Sequence, residues 1–221
     1  MSAPLIELRG VHFAYDAGRP VLADLNLTID AGDRIGITGA NGGGKSSLLQ
    51  LIVGLLKPTS GEVICFGRLR KSESDFIDVR RRVGLLFQDS DDQLFCPTVA
   101  EDIAFGPLNL GKSREESARI VRETLDAVGL PGYEERITYK LSGGEKRLVA
   151  LATVLAMEPE VLLLDEPLTG LDEEHVEKVE SVLVTLKQAM LVVAHDRTFL
   201  KKIARNTVVL RAGKIEAVEP G

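Results

Sequence analysis

The sequence predicts an α/β protein with a parallel sheet at its centre, and three observations lead there. Short apolar runs punctuated by Gly, Pro and Asp alternate with stretches of helical spacing, which is the pattern of βαβ units. One of those runs, Arg34–Thr38, passes straight into a glycine-rich loop and then into a helical pattern. The composition, 44% hydrophobic and 27% charged over 221 residues, is that of a globule with ample chain for a buried core.

The elements follow in order. Strand-like runs occupy residues 5–8, 11–15 and 25–29, separated by turn chemistry at Asp16-Ala-Gly-Arg-Pro20 and Asp30-Ala-Gly-Asp33. From Lys45 the apolar positions Leu48, Leu49, Ile52, Leu55 and Leu56 keep helical spacing, so the helix is expected to run to Lys57-Pro58. A turn at Thr59-Ser60-Gly61 leads into a strand over 62–66. Residues 90–140 are more charged and helical, with Ser113 as an N-cap and Gly129 as a C-cap of one helix. Helix 145–157, strand 161–164, helix 173–186 and strand 190–194 come next, and a hairpin over 207–217 closes the chain. The helical block reads as an insertion inside one α/β domain spanning 1–221.

Charge and cysteine content narrow the class. Lys and Arg total 27 against 33 Asp and Glu, net −6, which argues against a nucleic-acid binder with a basic face. The apolar stretches are too short to cross a bilayer, and the first residues show no secretory pattern. Cys65 and Cys96 have no C-x-x-C spacing and are expected to be buried thiols in a reducing compartment. Arg80-Arg-Arg82 is expected to be a solvated face.

Chemistry is concentrated in three places. Gly39-Ala-Asn41-Gly42-Gly43-Gly44-Lys45-Ser46 fits G-x-x-x-x-G-K-[ST] in its strand–loop–helix setting. Small residues let amide groups turn inward around a polyphosphate, Lys45 reaches the β- and γ-phosphates, and Ser46 ligates Mg2+. No Asn is followed by Lys, so the guanine-reading N-K-x-D is missing and adenine is the expected base. The apolar run 161–164 ends in Asp165-Glu166, where Asp165 can hold Mg2+ through water and Glu166 can polarise the attacking water. His195 follows the next apolar strand in the same way, while His12 and His175 are expected to be structural. Leu141-Ser142-Gly143-Gly144-Glu145 opens a helix with capping-box spacing and could also present amides to a phosphate.

With these residues together, the chain resembles the ATP-binding cassette (ABC) family over nearly its whole length. The likeness is carried by 39–46, 141–145, 161–166, the Gly170-Leu-Asp172 turn, His195, Gln88 and Tyr15. It implies a P-loop NTPase fold of the ABC-ATPase type, with an antiparallel β subdomain and a helical subdomain inserted at about 90–140. It further implies that Tyr15 stacks on adenine, that Gln88 serves Mg2+ and the catalytic site, and that Ser47 stands where the family has threonine. Two cassettes, a homodimer or a pair of related chains, would join head to tail, so that Ser142 and Gly144 complete the ATP site of the opposite subunit, and Gly143 and Asp172 are expected to bind nucleotide as well. The stretch 87–110, with D-D-Q-L-F and E-D-I-A-F-G-P-L-N-L, is similar to the ATPases of cobalt, nickel and energy-coupling-factor (ECF) vitamin importers. That similarity implies a peripheral motor on the cytoplasmic face of the membrane, working with a transmembrane coupling subunit and a substrate-binding membrane subunit. A short C-terminal region favours a dedicated metal or single-vitamin importer. Asp89, Asp91 and Asp92 either meet basic residues of that partner or form a solvated loop. Rival readings are a soluble ABC ATPase and a nucleotide-binding module without turnover.

Overall fold

The computed structural model describes residues 3–16 and 19–220. In chain order the first elements are β1 (Ile6–Ala14), β2 (Pro20–Ile29), β3 (Arg34–Thr38), α1 (Lys45–Ile52), β4 (Ser60–Cys65), β5 (Arg68–Arg70), α2 (Glu73–Arg82) and β6 (Val83–Leu86). A helical stretch follows with α3 (Val99–Asn109), α4 (Arg114–Ala127) and α5 (Gly143–Leu155). The chain closes with β7 (Val161–Asp165), α6 (Glu173–Thr185), β8 (Ala189–Val193), α7 (Arg197–Ile203), β9 (Asn206–Arg211) and β10 (Lys214–Pro220).

The described residues fall into two compact units. The first takes the chain up to Leu85, Glu160–Asp165 and the chain from Lys187; the second takes Leu86–Pro159 and Glu166–Leu186. In the first unit an antiparallel sheet has the order β2-β1-β4-β5, and a six-stranded sheet has the order β10-β9-β3-β8-β7-β6. Strands β3, β7, β8 and β9 run parallel at the centre of the latter. Both faces of β7 and β8 are buried, which is why their sequences are unbroken apolar runs without alternation. Ile6, Leu8, Leu25, Ile37, Leu48 and Ile52 belong to the one buried cluster shared by the two sheets and α1.

Several local expectations change for physical reasons. Residues 5–8 and 11–15 are one strand: a register shift between Leu8 and Val11 rephases the buried positions from Ile6 and Leu8 to Val11 and Phe13. Helix α1 stops at Ile52, well before Lys57, because Gly54 takes φ 72° against the Phe76 ring. Helix α2 shows no apolar periodicity in the sequence, since it buries Phe76 and Val79 alone among its residues; its signal is the Ser72–Asp75 capping box. Helix α7, capped by Asp196, is a further element beyond those expected from the sequence. Arg80-Arg-Arg82 is not a uniformly solvated face. Arg80 Nε donates to Val53 O at 2.9 Å, and Arg82 pairs with Glu160 at 2.6 Å while lying 3.4 Å over the Phe66 ring. Cys65 is buried but Cys96 is only half-buried. The turn expected at Asp16–Pro20 has its centre, residues 17 and 18, outside the described residues, as is the chain start.

The second unit is helical apart from an isolated bridge between Thr98 and Ile137. Helices α3, α4 and α5 each begin at a capping box, Thr98–Glu101, Ser113–Glu116 and Ser142–Glu145. Ser117, Val121 and Leu125 form the buried stripe of α4, and Gly129 ends it with φ 75°.

Candidate active site

Strand pairing brings the first unit's site residues to one edge. Ile37 is level with Val193, and Val193 with Asp165. The loop after β3, His195 after β8 and Asp165 at the end of β7 therefore share the C-terminal edge of the parallel sheet, beyond which open α/β sheets bind ligands.

The loop is shaped by two close approaches. Gly39 takes φ 150°, and a Cβ there would lie 2.3 Å from Leu210 O. Gly44 caps α1 in the left-handed region, and its Cβ would lie 2.8 Å from Val21 Cγ1. Between them Gly43 N donates to Ala40 O at 3.1 Å, closing a turn with Asn41 and Gly42 exposed at its tip. Lys45 is 7% exposed, and its Nζ donates to Gly39 O and Ala40 O, both at 3.0 Å. The ammonium thus lies along the loop's own carbonyls, where a phosphate oxygen can replace them as acceptor. Ser46 is half-buried and Ser47 buried, with Ser47 Oγ 2.9 Å from Tyr15 Oη. The Tyr15 ring packs edge-on against Phe13 at 4.8 Å yet remains 63% exposed, so it is supported and still able to stack on a base. Asp165 is 6% exposed and His195 exposed.

The second unit holds the remaining candidates. Glu166 adopts φ 48°, a left-handed conformation that a glutamate keeps only where its surroundings enforce it. Its carbonyl accepts Thr169 N at 3.1 Å, and Arg147 Nη2 at 2.9 Å. The carbonyl of Gln88 accepts Arg147 Nη1 at 3.2 Å, so Gln88 and Glu166 are tied to one side chain. Ser142 caps α5: its Oγ accepts Glu145 N at 3.2 Å and its own N donates to Glu145 Oε2 at 2.7 Å. The Tyr133 hydroxyl donates to Glu145 Oε1 at 2.6 Å. That bond first, and the Ser142 amide second, hold the Glu145 carboxyl below the usual range. Gly143 and Gly144 are the first residues of this helix, whose end presents amides and a positive dipole.

Asp172 caps α6, its Oδ1 accepting His175 N at 3.0 Å and contacting His175 Nδ1 at 2.7 Å. The His175 amide, then its ring, keep the Asp172 carboxyl low. His175 also lies against Gly144, so one imidazole joins the Asp172 turn to the Ser142-Gly-Gly segment. The sequence marks His175 as structural, and its place three residues after a capping Asp is the signal of this added contact. The acids near Gln88 are partly engaged: Asp89 Oδ1 accepts Asp91 N at 2.9 Å, and Lys146 reaches Asp91 at 2.6 Å.

A family model described as ABC transporter matches residues 22–169, more than half of the chain. The chain belongs to the ABC transporter family. This cassette is 51% identical over 212 residues to a protein of Brucella suis biovar 1 (strain 1330) whose name describes an ABC transporter ATP-binding protein, covering 96% of this chain and 88% of the relative. It is 43% identical to the energy-coupling factor transporter ATP-binding protein EcfA of Methanothermobacter thermautotrophicus, over 96% of this chain and 70% of the relative. Among solved structures, it superposes with TM-score 0.86 and 32% identity on cbiO1 of Clostridium perfringens, part of the ABC transporter complex cbiONQ, over 98% of this chain and 88% of that one. A dimeric cassette in a post-hydrolysis state with ADP and Pi gives TM-score 0.89 at 29% identity, over 97% and 98%. The fold is that of an ABC ATPase, as the sequence predicted, and the activity of this domain is ATP hydrolysis coupled to transport. Among the described residues no helix is long and apolar enough to cross a membrane.

Proposed function

We propose that the chain is the ATP-hydrolysing motor of an ECF-type importer for cobalt or nickel ions, peripheral to the cytoplasmic face of the membrane. The observation that carries the motor reading is the alignment of the phosphate loop, Asp165 and His195 along one sheet edge, set by the pairing of Ile37, Val193 and Asp165. In this reading Tyr15 stacks on adenine, and Gly39, Asn41, Gly42, Gly43 and Gly44 cradle phosphates with Lys45, Ser46 and Ser47. Glu166 takes the proton of the attacking water, and His195 contacts the γ-phosphate. A second cassette, the same chain or a paralogue, contributes Ser142, Gly143, Gly144 and Asp172 to each site.

In the first unit the donors suit Mg2+: the Ser46 hydroxyl and, through water, the buried Asp165 carboxylate are hard oxygens, and the family resemblance adds the Gln88 amide oxygen, a donor of the same kind. When bound, that ion neutralises charge on the phosphate oxygens.

A membrane partner is supported by a groove of about 720 Å³ over α3 and α4, where Phe105 and Leu108 are 49% and 44% exposed and Val121 forms the floor. Helices at about 90–140 would carry motion to a transmembrane coupling subunit, with a further membrane subunit binding cargo. Cobalt or nickel rests on the resemblance of the 87–110 stretch, which leaves a vitamin importer as the second reading; the likenesses to cbiO1, part of the ABC transporter complex cbiONQ, and to EcfA support the transporter reading alone.

Glu166→Gln tests the motor reading. It is expected to bind ATP as the wild type does, lose turnover and accumulate as an ATP-bound dimer by sedimentation. Persistent phosphate release would remove Glu166 from the base role.

A further inference from the structure

Arg147 is an extensively bonded buried side chain that the proposed site leaves without a role. It is 2% exposed, and a guanidinium at that depth stands only where its N–H groups find acceptors. Its Nε donates to Pro167 O at 3.0 Å and its Nη2 to Glu166 O at 2.9 Å. Its Nη1 donates to Phe87 O and, at 3.2 Å, to Gln88 O. One rigid planar fork therefore fastens two separate stretches of main chain, one carrying Gln88 and the other Glu166, to the helix that begins at Ser142.

A second tie runs to the same helix. Gln93 Oε1 accepts Phe87 N at 3.2 Å, while its Nε2 donates to Ala150 O and Thr153 Oγ1, both at 2.8 Å. The Gln88 segment is thus held from its carbonyl side by Arg147 and from its amide side by Gln93. At the other stretch, Arg147 bonds the consecutive carbonyls of Glu166 and Pro167, at the left-handed Glu166 with φ 48°. Such a backbone needs this kind of enforcement.

We infer that Arg147 is a positioning residue for ATP hydrolysis: it locks the backbones of Gln88 and Glu166 to the signature helix, so that the three move as one piece when nucleotide engages Ser142-Gly-Gly. The inference rests on the reading of Gln88 and Glu166 as hydrolysis residues. Lysine keeps the charge but offers a compact ammonium on a flexible stem, which cannot span four carbonyls on two segments.

The test is Arg147→Lys in the full chain, with hydrolysis normalised to nucleotide-binding sites titrated in the same preparation. That normalisation removes any loss due to unfolded protein. The expected result is a kcat lowered fivefold or more, with KM for ATP and the Kd of a fluorescent ATP analogue within twofold of wild type. A normalised kcat within fivefold, or a loss that appears in KM instead, overturns the inference. If Arg147→Lys does not fold, Gln93→Met decides: a threefold or larger fall in kcat at unchanged affinity supports the lock, and a smaller one overturns it. Glu166→Gln separates the two readings. If it still hydrolyses ATP, the site assignment fails; if it is inactive while Arg147→Lys matches wild type, the lock alone fails.

Discussion

Gly144 is the second residue of α5, and a Cβ built on it would lie 2.5 Å from His175 Cγ, 2.6 Å from Cδ2 and 2.7 Å from Nδ1. Gly144→Ala must therefore displace an imidazole that is itself held by Asp172 Oδ1 at 2.7 Å and is 16% exposed. Overpacking costs about 1–3 kcal/mol and the strained hydrogen bond about 1 kcal/mol. Replacing Gly by Ala in a helix returns up to about 1 kcal/mol, leaving a net destabilisation of about 1–3 kcal/mol. In a His175→Ala background the obstruction is gone, so the same substitution should be neutral or stabilising by up to about 1 kcal/mol. Urea denaturation of wild type, both single variants and the double variant measures the coupling. An interaction of at least about 1 kcal/mol is expected; additivity within about 0.5 kcal/mol would refute the contact.

Three further outcomes follow from the same geometry. Lys45→Ala removes the ammonium inside the phosphate loop and should weaken ATP binding at least about tenfold by titration calorimetry, since a phosphate-binding charge is lost. Tyr15→Phe keeps the ring and loses only the bond to Ser47, so ATP affinity should stay within twofold, whereas Tyr15→Ala should lower it about fivefold or more by loss of stacking. Glu145, whose folded pKa is depressed first by Tyr133, contributes stability that is full above its unfolded value of about 4.3 and is lost as pH falls through the folded value beneath it. Tyr133→Phe should therefore be less stable than wild type at pH 7, and the gap should close in acid; a gap unchanged at pH 3 would contradict the assignment.

Motif and capping chemistry made most of the framework legible. The phosphate loop announced β3 and α1 because its residue types are dictated by main-chain geometry, as the 2.3 Å approach of Leu210 O to a Cβ at Gly39 makes plain. Ser113 and Ser142 marked helix starts correctly, and the short apolar runs of β7 and β8, alternating with helical patterns, read as buried strands. What stayed hidden depends on tertiary partners. Helix α2 has too few apolar residues to show a periodic face, and the end of α1 is set by Phe76, 22 positions beyond Gly54. Arg147 follows a lysine in a helix and looks like a solvated charge, yet it is buried among carbonyls from residues 87, 88, 166 and 167. His175 likewise gains its meaning only from the ring's position against Gly144.

The central claim is that this cassette drives a membrane importer, and the direct measurement is affinity purification of the full chain from detergent-solubilised membranes of its native cell, with mass spectrometry and metal analysis of what is recovered. The account predicts a stoichiometric polytopic membrane protein, a second membrane subunit and bound cobalt or nickel. Recovery of the chain in the soluble fraction with ribosomal or assembly factors, and of no membrane protein, would contradict it.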